Sequence, residues 1–464
     1  LKQIVDINKA HIIMLVESGI LSKDYGGKIL KALTGLEKRV KVKPEHEDAH
    51  VAIEEEVIKT VGAEIGGNLN LAKSRNDQVA TAIRMKLRQE ILKTAESIIN
   101  LQEALIDKAE GNMETLIPGY THLQPAQPIT FAHYLLAQFD MLQRDLERLR
   151  EAYSRVDLCP MGAGALATTS FPIKRERVAE LLGFSGVLEN SLDAVSTRDF
   201  LLEVLAVLSI MAVNATRITE DLVIWSTMEF GTIELPDEFA FTSSIMPQKK
   251  NPDVLEVTRA RMARIIGDFV ASAATLKALP TGYNLDFQEV TPKLWSSAET
   301  VQRCLKMLAN VILNMKVRAS VMLKPELSFL AATELANMLV RDHGVPFRTA
   351  HRIVGAVVKA LIEEGKSLRD LTTEMLIGVS RKILGSPLKV DKEDIMHIVD
   401  LSGCVESYNI KGGPSKKEAR RMLKERRNLL ADSRGWVCRR ENKLKLAEKM
   451  LNTEAEVLIR RVSP

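Results

Sequence analysis

The stretch from Phe131 to Tyr153 constrains this chain more than any other. Phe131, Leu135, Phe139, Leu142, Leu146, Leu149 and Tyr153 recur at steps of 4, 4, 3, 4, 3 and 4, the period of a helix carrying one apolar stripe. A stripe of that length needs other helices to cover it. Comparable segments run over 77–110, 193–228, 253–279 and 293–320, each free of internal proline and bounded by Pro, Gly or polar turn residues. Five long helices predict a bundle. Aromatic residues make up only 5% of the chain, and no run of period-two alternation argues for a sheet. The segment 193–228 is apolar around most of its circumference and so belongs at the centre. Its most apolar part, Phe200 to Val213, is interrupted by Glu203 and closed by Asn214 and Arg217, short of the ~20 residues a membrane span needs. Bundles of such helices complete their core by association, which predicts a homo-oligomer.

A chain of 464 residues is long enough for two or three domains. Helical segments shorten and Gly and Pro recur before Lys73 and after Pro325. The expected division is 1–73, 74–325 and 326–464, all mostly helical, with the bundle in the middle. The pattern is already under way at Leu1, so a preceding N-terminal segment is expected. Lys and Arg number 64 against 60 Asp and Glu, a net charge of +4, too balanced for a nucleic-acid or membrane-surface footprint. The basic tail from Lys416 has Glu and apolar residues interleaved, as on the solvated face of C-terminal helices. Cys159, Cys304, Cys404 and Cys438 lie far apart with no metal-knuckle or disulfide spacing, which suits a reducing, cytoplasmic setting.

Three loops carry polar groups suited to chemistry. In Lys73-Ser74-Arg75-Asn76-Asp77-Gln78, Ser74 and Asp77 fit a variant capping box, by itself a structural device. A functional reading gives Arg75 and Asn76 to a substrate: an arginine fork fits a carboxylate, and an amide both donates and accepts. In Gly119-Tyr120-Thr121-His122-Leu123-Gln124-Pro125-Ala126-Gln127-Pro128 the prolines fix the path of the chain. His122 there is a candidate proton donor or acceptor, or simply a solvated loop histidine. The third loop, Thr242 to Asp253, ends as a helix start with Asn251 as N-cap and Pro252 in the first helical position. Free amides there and the charge of Lys249 would attract a carboxylate. Glu256, one turn into that helix, is placed to orient His122 if the loops meet.

Gly162-Ala163-Gly164-Ala165-Leu166-Ala167 matches a dinucleotide fingerprint, but helix precedes it and no βαβ unit follows, so it reads as a turn between helices. The eight histidines, His46 and His50 among them, show no convincing metal spacing.

The run Ser243-Ser244-Ile245-Met246-Pro247-Gln248-Lys249-Lys250-Asn251-Pro252 resembles the signature of the aspartase, fumarase and argininosuccinate lyase superfamily. SRNDQ at 74–78 and GYTHLQPAQP at 119–128 are similar to its argininosuccinate lyase branch, as are GAGALA, NSLDAVS, YNLDFQE and the late GGPS, in the expected order. The resemblance implies an all-α fold of three mostly helical domains whose central long-helix bundle assembles into a homotetramer, with each active site shared between subunits. It implies cleavage of argininosuccinate to arginine and fumarate with no metal or organic cofactor. Ser243 is then the general base, and His122, oriented by Glu256, the acid. Lys249 and the helix terminus stabilise a doubly charged aci-carboxylate. Asn76, Thr121, Asn251, Tyr283 and Gln288 match substrate-contacting positions.

The sequence departs from that pattern in places. Thr242 replaces the Gly before the paired serines, which would stiffen a closing loop. Asn70, Ala72 and Lys73 replace His, Gly and Arg. Thr291 stands where a substrate lysine is expected, with Lys293 two residues on. The family's N-terminal segment, with a substrate-contacting Ser, has no counterpart before DINKAHIIML. Sister lyases acting on adenylosuccinate, fumarate or aspartate, and a non-catalytic structural protein on the same scaffold, are the alternatives.

Overall fold

The computed structural model describes residues 1–462. Five long helices form the centre: Arg75–Glu110, Phe131–Val156, Asp199–Trp225, Asp253–Leu276 and Phe287–Asn314. Cross-helix pairs fix their directions. Arg84 reaches the Arg155 carbonyl at 2.7 Å while Gln102 meets Gln143 at 3.1 Å, so the first two run antiparallel. Tyr134 donates to Asp221 at 3.0 Å and Arg155 to Glu203 at 2.9 Å, which makes the third antiparallel to the second. Gln302 bonds Glu90 at 3.1 Å and Lys108 the Leu313 carbonyl at 3.2 Å, so the fifth runs parallel to the first; Ser209 meets the Ile265 carbonyl at 3.5 Å and Arg259 bonds Glu220 at 2.5 Å, so the fourth is antiparallel to the third and hence to the fifth.

One end of the bundle therefore holds Asn76, Asp199 and Phe287. The other holds Glu110, Phe131, Trp225 and Asp253. The 36 residues of Arg75–Glu110 separate these ends by roughly 54 Å at 1.5 Å per residue.

The Ser74–Asp77 capping box forms as the sequence implies: Ser74 accepts from the Asn76 amide at 3.3 Å, and Asp77 accepts from the Ser74 amide at 3.1 Å. Elsewhere boundaries move. The 193–228 segment is broken at Thr197 and Arg198, and its long helix starts at Asp199. The last bundle helix starts at Phe287 and contains Pro292, where a start after that proline is expected. Pro292 removes one amide, that to Gln288, in the second turn, and the apolar face from Phe287 through Val290 to Leu294 holds the turn in place. The basic tail is one continuous helix, Lys416–Arg460, running the length of the bundle from Asp140 (2.5 Å to Arg426) to Ser185 (2.7 Å to Lys443).

Among the described residues three large hydrophobic cores result, beside a small cluster of Ala163, Ala194 and Val195. The bundle core includes Leu87, Phe139, Leu146, Leu205, Leu294 and Leu308. A second joins the first helices, through Ile12, Leu30 and Ile53, to Met161 and Phe184 and to Leu451, Ala455 and Leu458 of the last helix. A third, around Leu339, Ile353 and Val357, lies in the C-terminal part. Between the first two, Arg88 is buried over the Phe184 ring, paired with Asp157 at 2.8 Å and donating to the carbonyls of Leu182 and Gly183. The Asp199–Trp225 helix is, among the described residues, the one apolar and long enough to cross a membrane, and more than half of that stretch is buried in the fold.

Candidate active site

At the Asn76 end, Asp77 organises two loops. Its side chain is fully buried, and its second oxygen accepts from the amides of Gly162 at 3.1 Å and Gly164 at 2.9 Å. The glycine-rich turn is thus a cradle for a carboxylate of its own chain. Gly164 needs its glycine: φ is +64°, and a Cβ would sit 2.6 Å from the Thr168 carbonyl oxygen. Burial pushes the Asp77 carboxyl up to about 6 against the opposing pull of its amide donors. The fastened turn presents the Ala165 carbonyl, to which Asn76 donates at 3.1 Å.

Asn76 lines a cavity of about 550 Å³ together with Arg75, Arg198, Tyr283, Gln288 and Thr291. Gln288 donates to the Tyr283 hydroxyl at 3.1 Å. Three sequence-derived substrate positions, Asn76, Tyr283 and Gln288, therefore converge within one chain. Arg75 also lines the cavity, but its fork is already engaged by Glu47 at 2.6 Å and Asp48 at 3.2 Å. Lys293 turns back onto the Glu289 carbonyl at 2.7 Å, while Thr291 faces the cavity. Arg198, a lone cation before an apolar segment, escaped sequence reasoning. It is buried and also lines the cavity.

The second loop is a β-hairpin, where the sequence suggested an irregular loop. Strand β1 (Leu116–Thr121) pairs antiparallel with β2 (Gln124–Thr130). A register shift after Gly119 leaves Ala126 as the extra residue of a bulge. His122 and Leu123 form its exposed tip, both with left-handed backbone at φ +56° and +59°, as a two-residue hairpin turn of mirror type demands. Such a conformation costs a non-glycine residue about 1 kcal/mol or more, and it sets the direction of the His122 side chain.

The third loop closes through a two-residue ribbon, Phe241–Thr242 against Lys250–Asn251. That pairing takes Asn251 out of the N-cap position: the cap is Pro252, and the helix begins at Asp253. Asp253 instead accepts from the Phe241 amide at 3.0 Å. Ser243 Oγ accepts from the amides of Met246 at 3.2 Å and Ile245 at 3.4 Å. Lys249 is exposed on the same loop, its amide on the Met246 carbonyl at 3.0 Å. Glu256 is exposed in the first helical turn and, among the described residues, makes no hydrogen bond to His122. No group of three or more His, Cys, Asp or Glu side chains among the described residues is placed to hold a metal.

Residues 22–267 match the family described as Lyase, and residues 329–406 match argininosuccinate lyase C-terminal. Argininosuccinate lyase of Methanocaldococcus jannaschii is 44% identical over 420 residues, 89% of this chain and 85% of that protein. The chain belongs to the argininosuccinate lyase family. The Methanosarcina barkeri argininosuccinate lyase is 43% identical over 92% of this chain and 87% of its own length. Among solved structures, EDDS lyase in complex with formate superimposes with a TM-score of 0.90 at 30% identity, covering 98% of this chain and 91% of that one. The all-helical lyase fold implied by the signature loop is thus the fold adopted. Within this argininosuccinate lyase family member the candidate residues fall into two sets at opposite ends of the bundle: Asn76, Tyr283 and Gln288 at one, Thr121, His122, Ser243, Lys249, Asn251 and Glu256 at the other.

Proposed function

We propose that this chain catalyses the reversible elimination of argininosuccinate to arginine and fumarate, the last step of arginine biosynthesis. Ser243 takes the proton from the carbon beside a carboxylate. Lys249, with the amides at the start of Asp253–Leu276, stabilises the resulting aci-carboxylate. His122, oriented by Glu256, protonates the departing guanidino nitrogen. The observation that carries this reading is the pair of amides on Ser243 Oγ. A serine is a poor base until its alkoxide is stabilised, and two backbone donors beside a lysine supply that stabilisation.

The separation of the two residue sets supports a homotetramer whose active sites combine residues of different subunits. Ile210 and Val213 on one central helix and Val257, Ile266 and Val270 on the next are 39–58% exposed, an apolar face suited to burial against further copies. A cytoplasmic location suits free cysteines, three of them buried.

The test is ultraviolet absorbance of fumarate after adding argininosuccinate to the assembled protein, with adenylosuccinate, aspartate, malate and EDDS in parallel. Release from argininosuccinate alone is expected, reduced about 100- to 10,000-fold in Ser243→Ala. Turnover of another substrate instead, or full activity of the variant, would overturn the assignment.

A further inference from the structure

The β1–β2 hairpin adjoins a cavity of about 430 Å³ at the His122 end of the bundle. Tyr120, Tyr134, Trp225 and Phe230 line it. The rings of Tyr134 and Trp225 meet at 4.5 Å between centres and 56° between planes, those of Tyr120 and Phe230 at 5.5 Å and 53°, so two tilted aromatic pairs contribute to its wall. Asp221 is the one carboxylate among the lining residues. Tyr134 donates to Asp221 Oδ2 at 3.0 Å, and no described side chain donates to Oδ1. The neighbouring Glu220 is taken by Arg259 at 2.5 Å, whereas no described cation forms an ion pair with Asp221. Arg217, one turn before it on the same helix, sends Nη1 to Met141 Sδ at 3.6 Å instead. Burial pushes the Asp221 carboxyl above its ordinary value, with Tyr134 and Arg217 opposing. A half-buried carboxylate in that state gains from a cation. Aromatic rings favour the same guest, because their electron-rich faces attract positive charge. A guanidinium suits both surfaces: it is flat, it stacks on rings, and its N–H fork meets a carboxylate. His122 is not among the lining residues, although its neighbours Thr121 and Leu123 are, so the cavity adjoins the proposed acid without containing it.

We propose that this cavity is a second small-molecule site, which takes a guanidinium group against Asp221 and the aromatic walls. The site stands apart from the elimination proposed above and does not depend on it. Arginine, a product of that reaction, carries the group that fits.

Trp225 makes the site observable, because a cation in the cavity alters its fluorescence. The probes are propylguanidinium and propylurea, which share a planar head and differ in charge, each titrated into the assembled protein. Wild type is expected to show a saturable change with propylguanidinium and to bind it at least about 10-fold more tightly than propylurea, the effect of a charge-assisted pair. Asp221→Asn, whose amide oxygen still accepts from Tyr134, brings the two probes within about threefold of each other. Phe230→Leu weakens propylguanidinium by about 3- to 10-fold and propylurea less, and stands in if the asparagine variant does not assemble. Trp225→Phe loses the fluorescence change while calorimetry still finds the probe bound. Asn76→Leu, at the other end of the bundle, leaves propylguanidinium binding within about threefold. No saturable change in the wild type overturns the proposal, as it would if Arg217 or a second copy of the chain already fills the cavity. A charge preference that survives both Asp221→Asn and Phe230→Leu overturns it too, and so does loss of binding in Asn76→Leu, which would put the probe in the substrate cavity.

Discussion

At the Asn76 end of the bundle, the candidate substrate groups are held by buried partners in the same chain, whereas at the His122 end they stand on exposed backbone. Asp77 gathers three amides and fixes the turn that holds Asn76. By contrast, Ser243 and Lys249 sit on a loop closed by two residue pairs, with Phe241 71% and Ile245 83% exposed. On the proposed mechanism the difference separates two tasks. Groups that recognise a substrate gain affinity from being ordered beforehand, while groups that perform proton transfer have to close on it and exclude water, which a mobile loop does.

If the two ends belong to one shared site, an inactive His122→Asn protein and an inactive Asn76→Leu protein should regain activity when unfolded and reassembled together. Random mixing would give roughly a quarter of the sites two intact halves. Activity in a coupled fumarate assay that never exceeds that of either parent would show that the two ends do not share a site and dissolve the contrast. Asp77→Asn tests the ordered end. Its amide offers one oxygen to three donors, so kcat/KM should fall about 10- to 100-fold, mainly through KM.

The same carboxyl gives a pH signature. Because the folded chain holds the Asp77 proton up to about 6, against an ordinary 3.8, this group makes the fold more stable as pH falls from about 6 toward 4, and that gain is lost as pH rises through the window. Activity should move the opposite way, since the protonated acid releases its amides. Thermal melts and rates measured together over this range should diverge, and parallel curves would remove Asp77 from the site. The smallest effect is expected at the exposed end. Thr242→Gly should change kcat by no more than about threefold, because only a ribbon of two residue pairs restrains that loop.

The long helices were legible because their apolar stripes bury the same residues they mark, Phe131 through Tyr153 among them. The Ser74 cap was legible because it is local. The hairpin was not. Its strands carry Pro118, Pro125 and Pro128, residues that argue against sheet, and Pro118 faces Pro128; a two-stranded ribbon admits them because its outer edges need no ladder bonds. The shift of the cap from Asn251 to Pro252 arises from pairing with Phe241, ten residues away, which no local rule contains. The meeting of Asn76 with Tyr283 and Gln288 lay beyond periodicity, and the family signature supplied those residues without their geometry. Arg198 was silent for a related reason: its meaning comes from what surrounds it in space.

The last helix, Lys416–Arg460, covers the first. Leu451, Ala455 and Leu458 close the core built by Ile7, Ile12 and Ile29. On the ribosome the early helices emerge long before their cover exists, and at about 5–20 residues per second the wait lasts tens of seconds. Through that interval the nascent chain exposes an apolar surface that Leu451, Ala455 and Leu458 later close, so the N-terminal core is completed only once that distant helix has been made.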